Sequence, residues 1–373
     1  MWFKITPIPE ENLKKMKEFQ YKSTDESYLY NKCMSPCLNK VVNYFPISLA
    51  PNIITLFSLL MNVIAAIITY FDAGFDFSKR LKSSTCIIIG ITQFLYLLLD
   101  NLDGKQARRT GTSSPFGMLV DHGCDIFTNC FTCFNLTHLS LVGNNSFFSI
   151  SIFIGLILGF YAMTYEEYKI GELHFPVINA TDEGNLVVSL FGFFCGIFGQ
   201  NWLKTKIYFH ISFSKIIGVI SLLGGISCVY NLFLHTYKQK SLVDCFKIFL
   251  DWIYFYIVLV FPIIVFIFRK RFYINYKGII FICMCLLFAR ITMDLQIRIV
   301  TEDIIKGNFF IILVSVLLLV SLYFSREKDI FFCLCCIAYF QIIELSMFIY
   351  QRSMQITTFL EIKIFKINPS IQI

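Results

Sequence analysis

Ten stretches of the chain are apolar over nearly the length a bilayer requires. They lie near 53–71, 85–100, 116–141, 147–165, 185–202, 214–234, 249–268, 277–295, 307–324 and 330–350. A membrane-crossing helix needs about 20 consecutive, mostly apolar residues. The pattern therefore predicts an all-α, polytopic integral membrane protein of about ten transmembrane helices. The first 50 residues break it, with seven lysines and the acidic pieces PEEN and STDES, and are expected in water or on the membrane surface. Within them Leu13, Met16 and Phe19 share one face of a short helix. That face suits either an interfacial helix or an ordinary surface helix.

Composition agrees with the pattern. Of 373 residues, 56% are hydrophobic and 15% charged, against about 25% charged in soluble domains. The net charge of +7 points to anionic lipid headgroups. No basic stripe with interleaved aromatics suggests a nucleic-acid surface. Most of the 14 cysteines fall inside apolar runs, among them Cys283, Cys285, Cys333, Cys335 and Cys336. They read as small packing residues, not as a disulfide or zinc framework. The first residues lack the apolar core and cleavage site of a signal peptide, and the last residues carry neither a retention tetrapeptide nor a prenylation box.

Basic residues orient the spans. A cytosolic N-terminus puts Lys105, Arg108, Arg109, Lys238, Lys240 and Lys247 on the cytosolic side. It puts Lys79, Arg80 and Lys82, and likewise Arg269, Lys270 and Arg271, on the opposite side, against the rule. Asn144-Asn145-Ser146 forms a glycosylation sequon in a loop expected to be lumenal.

The chemistry concentrates in DNLDGKQARRTGTSSPFGMLVDHGCD, residues 100–125. A carboxylate within the bilayer costs several kcal/mol unless paired, coordinated or wet. Asp100 and Asp103 stand i,i+3 and Asp121 and Asp125 i,i+4, so each pair falls on one helical face. A short polar link makes the two helices antiparallel neighbours, and their carboxylates can converge. Four hard oxygen donors suit Mg²⁺, Mn²⁺ or Ca²⁺, and a two-metal arrangement would suit phosphoryl displacement. Gly104 and Ala107 allow close approach to the backbone, Arg108 offers a fork for a diphosphate, and Gly117 keeps the Asp121 face open. The competing reading pairs the aspartates with Lys105, Arg108 and Arg109 at the membrane surface.

These residues resemble the signature of the CDP-alcohol phosphotransferase family, filled without a gap by Asp100, Asp103, Gly104, Ala107, Arg108, Gly117, Asp121 and Asp125. DGKQARRT, SSP, DHGCD, LAPNIITL (residues 49–56) and YEEYKIGEL (residues 165–173) are similar to the eukaryotic choline/ethanolamine phosphotransferase branch. The resemblance is clear over residues 20–185 and weaker beyond. It implies a CDP-alcohol phosphotransferase-like fold, with a cytosolic or interfacial segment 1–50, a catalytic core 51–205, C-terminal transmembrane helices 206–350 and a cytosolic tail 351–373. It implies transfer of phosphocholine or phosphoethanolamine from CDP-choline or CDP-ethanolamine to diacylglycerol. It also implies two Mg²⁺ or Mn²⁺ ions, membrane lipids but no nucleic acid as partners, a homodimer, and an endoplasmic reticulum location with a cytosolic site.

Residue by residue, the resemblance makes Asp100, Asp103, Asp121 and Asp125 metal ligands. It makes Asn52, Gly104, Ala107, Arg108 and Gly117 the CDP-alcohol side, and His122 the general base, a task Asp125 takes in members lacking that histidine. Two positions depart from the branch. Met118 stands where a glutamate usually backs the histidine, leaving Glu166, Glu167 and Glu183 as candidate substitutes. Ser58 stands where glycine is common, a change expected to matter little. Two other classes remain to be weighed: a cation transporter or channel using the acidic cluster, which predicts carboxylates spread through several spans, and an inactive scaffold.

Overall fold

A computed structural model describes residues 6–144, 147–177, 179–208, 211–304 and 308–366. The sequon's Asn145 and Ser146 lie outside the described residues. Thirteen α-helices are present among those described: α1 Glu10–Glu18, α2 Ser35–Val41, α3 Pro51–Ala73, α4 Ser83–Thr110, α5 Pro115–Leu139, α6 Phe147–Ile170, α7 Asn185–Phe198, α8 Phe213–Gln239, α9 Leu242–Asp251, α10 Phe255–Phe268, α11 Lys270–Thr301, α12 Phe309–Ser321 and α13 Glu327–Leu360. The fold is that of an all-helical integral membrane protein. Each expected span has a helix, but span and helix do not correspond one to one. Six helices (α3, α4, α6, α8, α11 and α13) are long and apolar enough to cross a bilayer, and α9 with α10 makes a seventh, bent by 56°. Of the remainder, α12 is apolar but has only 13 residues, and α7 has 14.

Small residues allow the helices to pack without a hydrophobic drive in lipid. A Cβ at Gly155 of α6 would lie 2.1 Å from the Ser221 carbonyl oxygen of α8, and one at Gly225 would lie 2.4 Å from the Gly155 carbonyl oxygen. A Cβ at Gly192 of α7 would come within 2.7 Å of the Gly90 nitrogen on α4. These two crossings hold α8 against α6 and α7 against α4. The largest apolar core gathers Ile126, Ile157, Phe255, Phe261, Met284 and Phe288 from α5, α6, α10 and α11. All 14 cysteines are free, and seven of them are buried.

The N-terminal segment fastens across the end of the bundle that carries the aspartates. A three-residue parallel pairing joins Ser23–Asp25 to Leu173–Phe175, after α6. The apolar face of α1 is buried on protein, with Leu13 and Met16 packed against Val300 and Ile356. This decides between the two readings of that face in favour of an ordinary docked helix. On α2, Leu38 is buried with Leu97 and Leu102 of α4.

Candidate active site

The local sequence explains the hairpin that carries the carboxylates. α4 continues through the charged motif as far as Thr110, ten residues beyond the expected end of its span, so Asp100 and Asp103 are helical. Gly111, at φ 65°, closes the helix in the left-handed conformation open to glycine. Ser114 caps α5, its hydroxyl oxygen accepting from the Gly117 amide at 3.0 Å, and Pro115 occupies the first helical position, where its missing N–H costs nothing. The helices are therefore joined by four residues, 111–114, which aligns the two aspartate pairs.

The pairs meet. Carboxylate oxygens of Asp100, Asp121 and Asp125 lie within 4.8 Å of one another. The Thr55 hydroxyl donates to Asp103, and the Tyr96 hydroxyl donates to Asp125 Oδ1 at 2.8 Å. Oδ1 of Asp100 and Oδ1 of Asp121 are buried without a hydrogen-bond partner. Converging carboxylates with orphaned oxygens repel one another and lack solvation, the setting in which a divalent cation is favoured. The donor set is all oxygen and all anionic, so it fits Mg²⁺ or Mn²⁺.

The nearby bases are engaged elsewhere. Lys105 Nζ donates to Ser35 Oγ at 3.0 Å and to Asn39 Oδ1 at 2.8 Å. Arg109 donates to the carbonyls of Val42 and Phe45 at 2.8 and 2.7 Å. Surface pairing of the aspartates with these bases is thus replaced by bonds that hold the N-terminal segment on α4. Arg108 is exposed, and its guanidinium lies over Gly104, where a Cβ would stand 3.6 Å from Nη1. On the other side of the hairpin, a Cβ at Gly117 would sit 3.8 Å from Asn52 Oδ1. Asn52 and Thr55 occupy neighbouring turns of α3, so one face of that helix lines the cluster. Ala107 is partly buried on α4, and Ser58 is buried with its hydroxyl on the Thr55 carbonyl at 2.7 Å.

His122 Nδ1 lies 4.0 Å from Glu167 Oε2. Of the three glutamates considered for this place, Glu166 pairs with His235 at 2.6 Å. Glu183 accepts from Ser27 Oγ at 2.7 Å and from two backbone amides. Those two are excluded, and Glu167 alone of the three reaches the imidazole. Met118 packs with Phe116, Leu13 and Met16 in the apolar cluster beneath α1. Glu167 also lines a cavity of about 610 Å³, together with Lys22, Arg298 and Glu302.

Sequence reasoning missed Thr55, Tyr96 and Tyr21. The first two were detectable in principle, Thr55 three residues after Asn52 and Tyr96 four before Asp100. The third arrives from the N-terminal segment. The Tyr21 ring, 45% exposed, sets an edge against His122 at 5.8 Å between centroids. Crowding around its hydroxyl, then the charges of Glu167 and Asp121, hold the phenol above its usual range. Asn101, inside the motif, donates to Asp182 Oδ1 at 3.2 Å, and burial pushes that carboxyl up to about 6.

Comparison with known proteins places this geometry. The family model described as CDP-alcohol phosphatidyltransferase matches residues 48–208. An uncharacterised class-I member of that family from Dictyostelium discoideum is 30% identical over 66% of this chain and 67% of its own length. The choline/ethanolaminephosphotransferase 1 of Arabidopsis thaliana is 33% identical over 49% of this chain and 46% of its own length. The cholinephosphotransferase 1 of Saccharomyces cerevisiae is 30% identical over 54% and 51%. The chain thus spans about half the length of the two relatives whose activity is named.

Proposed function

The chain belongs to the CDP-alcohol phosphatidyltransferase family, and on that premise we propose that it transfers phosphocholine, phosphoethanolamine or both from the CDP-alcohol to diacylglycerol, releasing CMP. The observation that carries this reading is the convergence of Asp100, Asp121 and Asp125 within 4.8 Å, with two buried oxygens left unpartnered. Named choline/ethanolamine relatives support the substrate class.

In this reading Asp100, Asp103, Asp121 and Asp125 hold Mg²⁺ or Mn²⁺, two ions per site. Bound there, the metal supplies stabilisation of charge on the diphosphate and on the departing CMP. Thr55 and Tyr96 keep Asp103 and Asp125 turned inward. Gly104, Ala107 and Gly117 leave room for the nucleotide, Arg108 meets a phosphate from the open side, and Asn52 contacts the nucleotide from α3.

The acceptor hydroxyl attacks the β-phosphorus, and the bond from that phosphorus to the CMP oxygen breaks. His122 takes the hydroxyl proton. With Nδ1 turned to Glu167, Nε2 is the nitrogen left for that task. Asp125, the alternative base, is engaged by Tyr96, which favours His122. Glu167 stands in for the carboxylate that Met118 lacks, orienting the ring from the opposite side. The remaining assignments belong to the same proposal: ten crossings, a core at 51–205, a homodimer, and an endoplasmic reticulum site facing the cytosol. A lipid acceptor accounts for carboxylates at the end of membrane helices. Ion transport finds less support, since Arg290 pairs with Asp294 and Glu344, and Glu166 with His235, so these charges of the helices are engaged within the protein.

Membranes containing the protein, given labelled CDP-choline or CDP-ethanolamine with diacylglycerol and Mg²⁺ or Mn²⁺, should form labelled phospholipid and CMP. Absence of lipid product from both nucleotides overturns the reading.

A further inference from the structure

The segment after α13 takes a defined path to the site. Glu361, at φ 57°, ends the helix in the left-handed region, which a non-glycine residue occupies at some cost. Beyond it exposure alternates: Ile362 and Ile364 are half-buried while Lys363 and Phe365 are exposed. Ile362 and Ile364 pack in the cluster that holds Phe116 and Met118, the first turn of α5. At the end of this path the Ile364 carbonyl accepts a hydrogen bond from Asn52 Nδ2 at 2.8 Å.

That bond sets the orientation of the Asn52 amide. A carbonyl only accepts, so it selects the NH₂ end of the side chain. The other end, Oδ1, is then turned to Gly117, one helical turn before Asp121. Asn52 itself lies one turn from Thr55, whose hydroxyl holds Asp103. The tail therefore fixes which end of the amide a ligand at the carboxylate cluster meets, and offers it an acceptor instead of a donor.

We infer that the inward-facing Ile362 and Ile364 form a wall of the nucleotide side of the site, with Ile364 as a positioning residue that holds Asn52 ready to accept a hydrogen bond from the CDP-alcohol. This rests on the phosphotransferase reading. The segment lies outside the part of the chain matched by the family model, residues 48–208. It would be a feature this chain adds to that core.

The test is a double-mutant cycle in the full-length protein, assayed with CDP-choline and CDP-ethanolamine at saturating diacylglycerol. Ile362→Ser with Ile364→Ser loosens the tail without touching the carboxylates. The KM for the nucleotide should rise about five-fold, the loss of one ordinary hydrogen bond, with kcat retained. In an Asn52→Ala background the same pair should change KM by less than two-fold, because its effect passes through Asn52. Lys363→Ser, on the outward face, should leave both constants unchanged. A fall in KM would show a plug that competes with substrate, and an equal rise in both backgrounds would show general loosening. Either result overturns the proposal, as does no change at all. If the unmutated protein makes no lipid product, the phosphotransferase reading has failed; if it does and the tail variants match it, only the wall has failed.

Discussion

Two helix pairs in this protein bury charge, and they do so in opposite ways. Between α11 and α13, Arg290 Nε meets both oxygens of Glu344 at 2.9 and 3.0 Å, and its guanidinium stacks over Phe348 at 3.7 Å. Asp294 bridges onward to Arg298 at 2.8 Å. Acids and bases balance there, and each covers the other's cost of leaving water. Between α4 and α5, four acids converge, and among the described residues the side-chain donors to them are the hydroxyls of Thr55 and Tyr96. The first arrangement is balanced in charge, its one buried atom without a hydrogen bond, Arg290 Nη1, lying 3.6 Å from Asp294, and it holds two helices together. The second leaves two buried carboxylate oxygens without a partner, a deficit that a cation would fill. Buried charge by itself thus says little about function; its balance separates a staple from a site.

Removing a charge from each pair should separate them most sharply. Asp121→Ala should lower metal-dependent turnover by about 10³-fold, the scale of losing a preorganised electrostatic contact. In chelator the same variant should unfold at a higher temperature than the parent in detergent, since one of four repelling charges is gone. A drop in chelator would mean the cluster stabilises the apoprotein, against the comparison. Arg290→Met should do the reverse. It leaves Glu344 buried and unpaired and should cost about 3–5 kcal/mol of stability, while folded enzyme keeps its kcat. Arg290→Met with Glu344→Met should recover most of that loss. A double variant as unstable as the single one would show that the pair does more than staple.

The same contrast explains what was legible in the sequence. The helices were, because apolar runs of bilayer length have few alternative fates in lipid. The carboxylate cluster was, because the spacings Asp100–Asp103 and Asp121–Asp125 fix faces, and Gly111 with the Ser114-Pro115 cap fixes the turn between them. What depended on distant partners was not. Lys105 and Arg109 look like carboxylate partners until the N-terminal segment is seen lying on them. α9 and α10 read as one span because hydropathy carries no record of a 56° bend. Thr55 and Tyr96 are unremarkable among many hydroxyls in apolar helices until α3 and α4 are packed against α5. Nothing in sequence order joins Ile364 to Asn52, 312 residues apart.

Glu166 and Glu167 carry the comparison down to adjacent residues of one helix, where the smallest effect is expected. Both are buried, at 5% and 3% exposure, so burial does not distinguish them. Their partners do. Glu166 is bonded to His235 of α8 at 2.6 Å, a contact between two helices. Glu167 faces His122 Nδ1 at 4.0 Å, on the wall of the 610 Å³ cavity. A carboxylate that orients a functional imidazole is worth about 10- to 100-fold when removed. Glu167→Gln keeps the shape and loses the charge, so kcat should fall about ten-fold with the nucleotide KM unchanged. Glu166→Gln should leave kcat within two-fold and lower the unfolding temperature instead. Met118→Glu in the Glu167→Gln background should fail to restore the rate, because that position lies among Leu13, Met16 and Phe116 and would bury its charge away from water. Recovery of kcat there would mean that the two carboxylates are interchangeable around His122, and that the apolar cluster beneath α1 yields more easily than its packing implies.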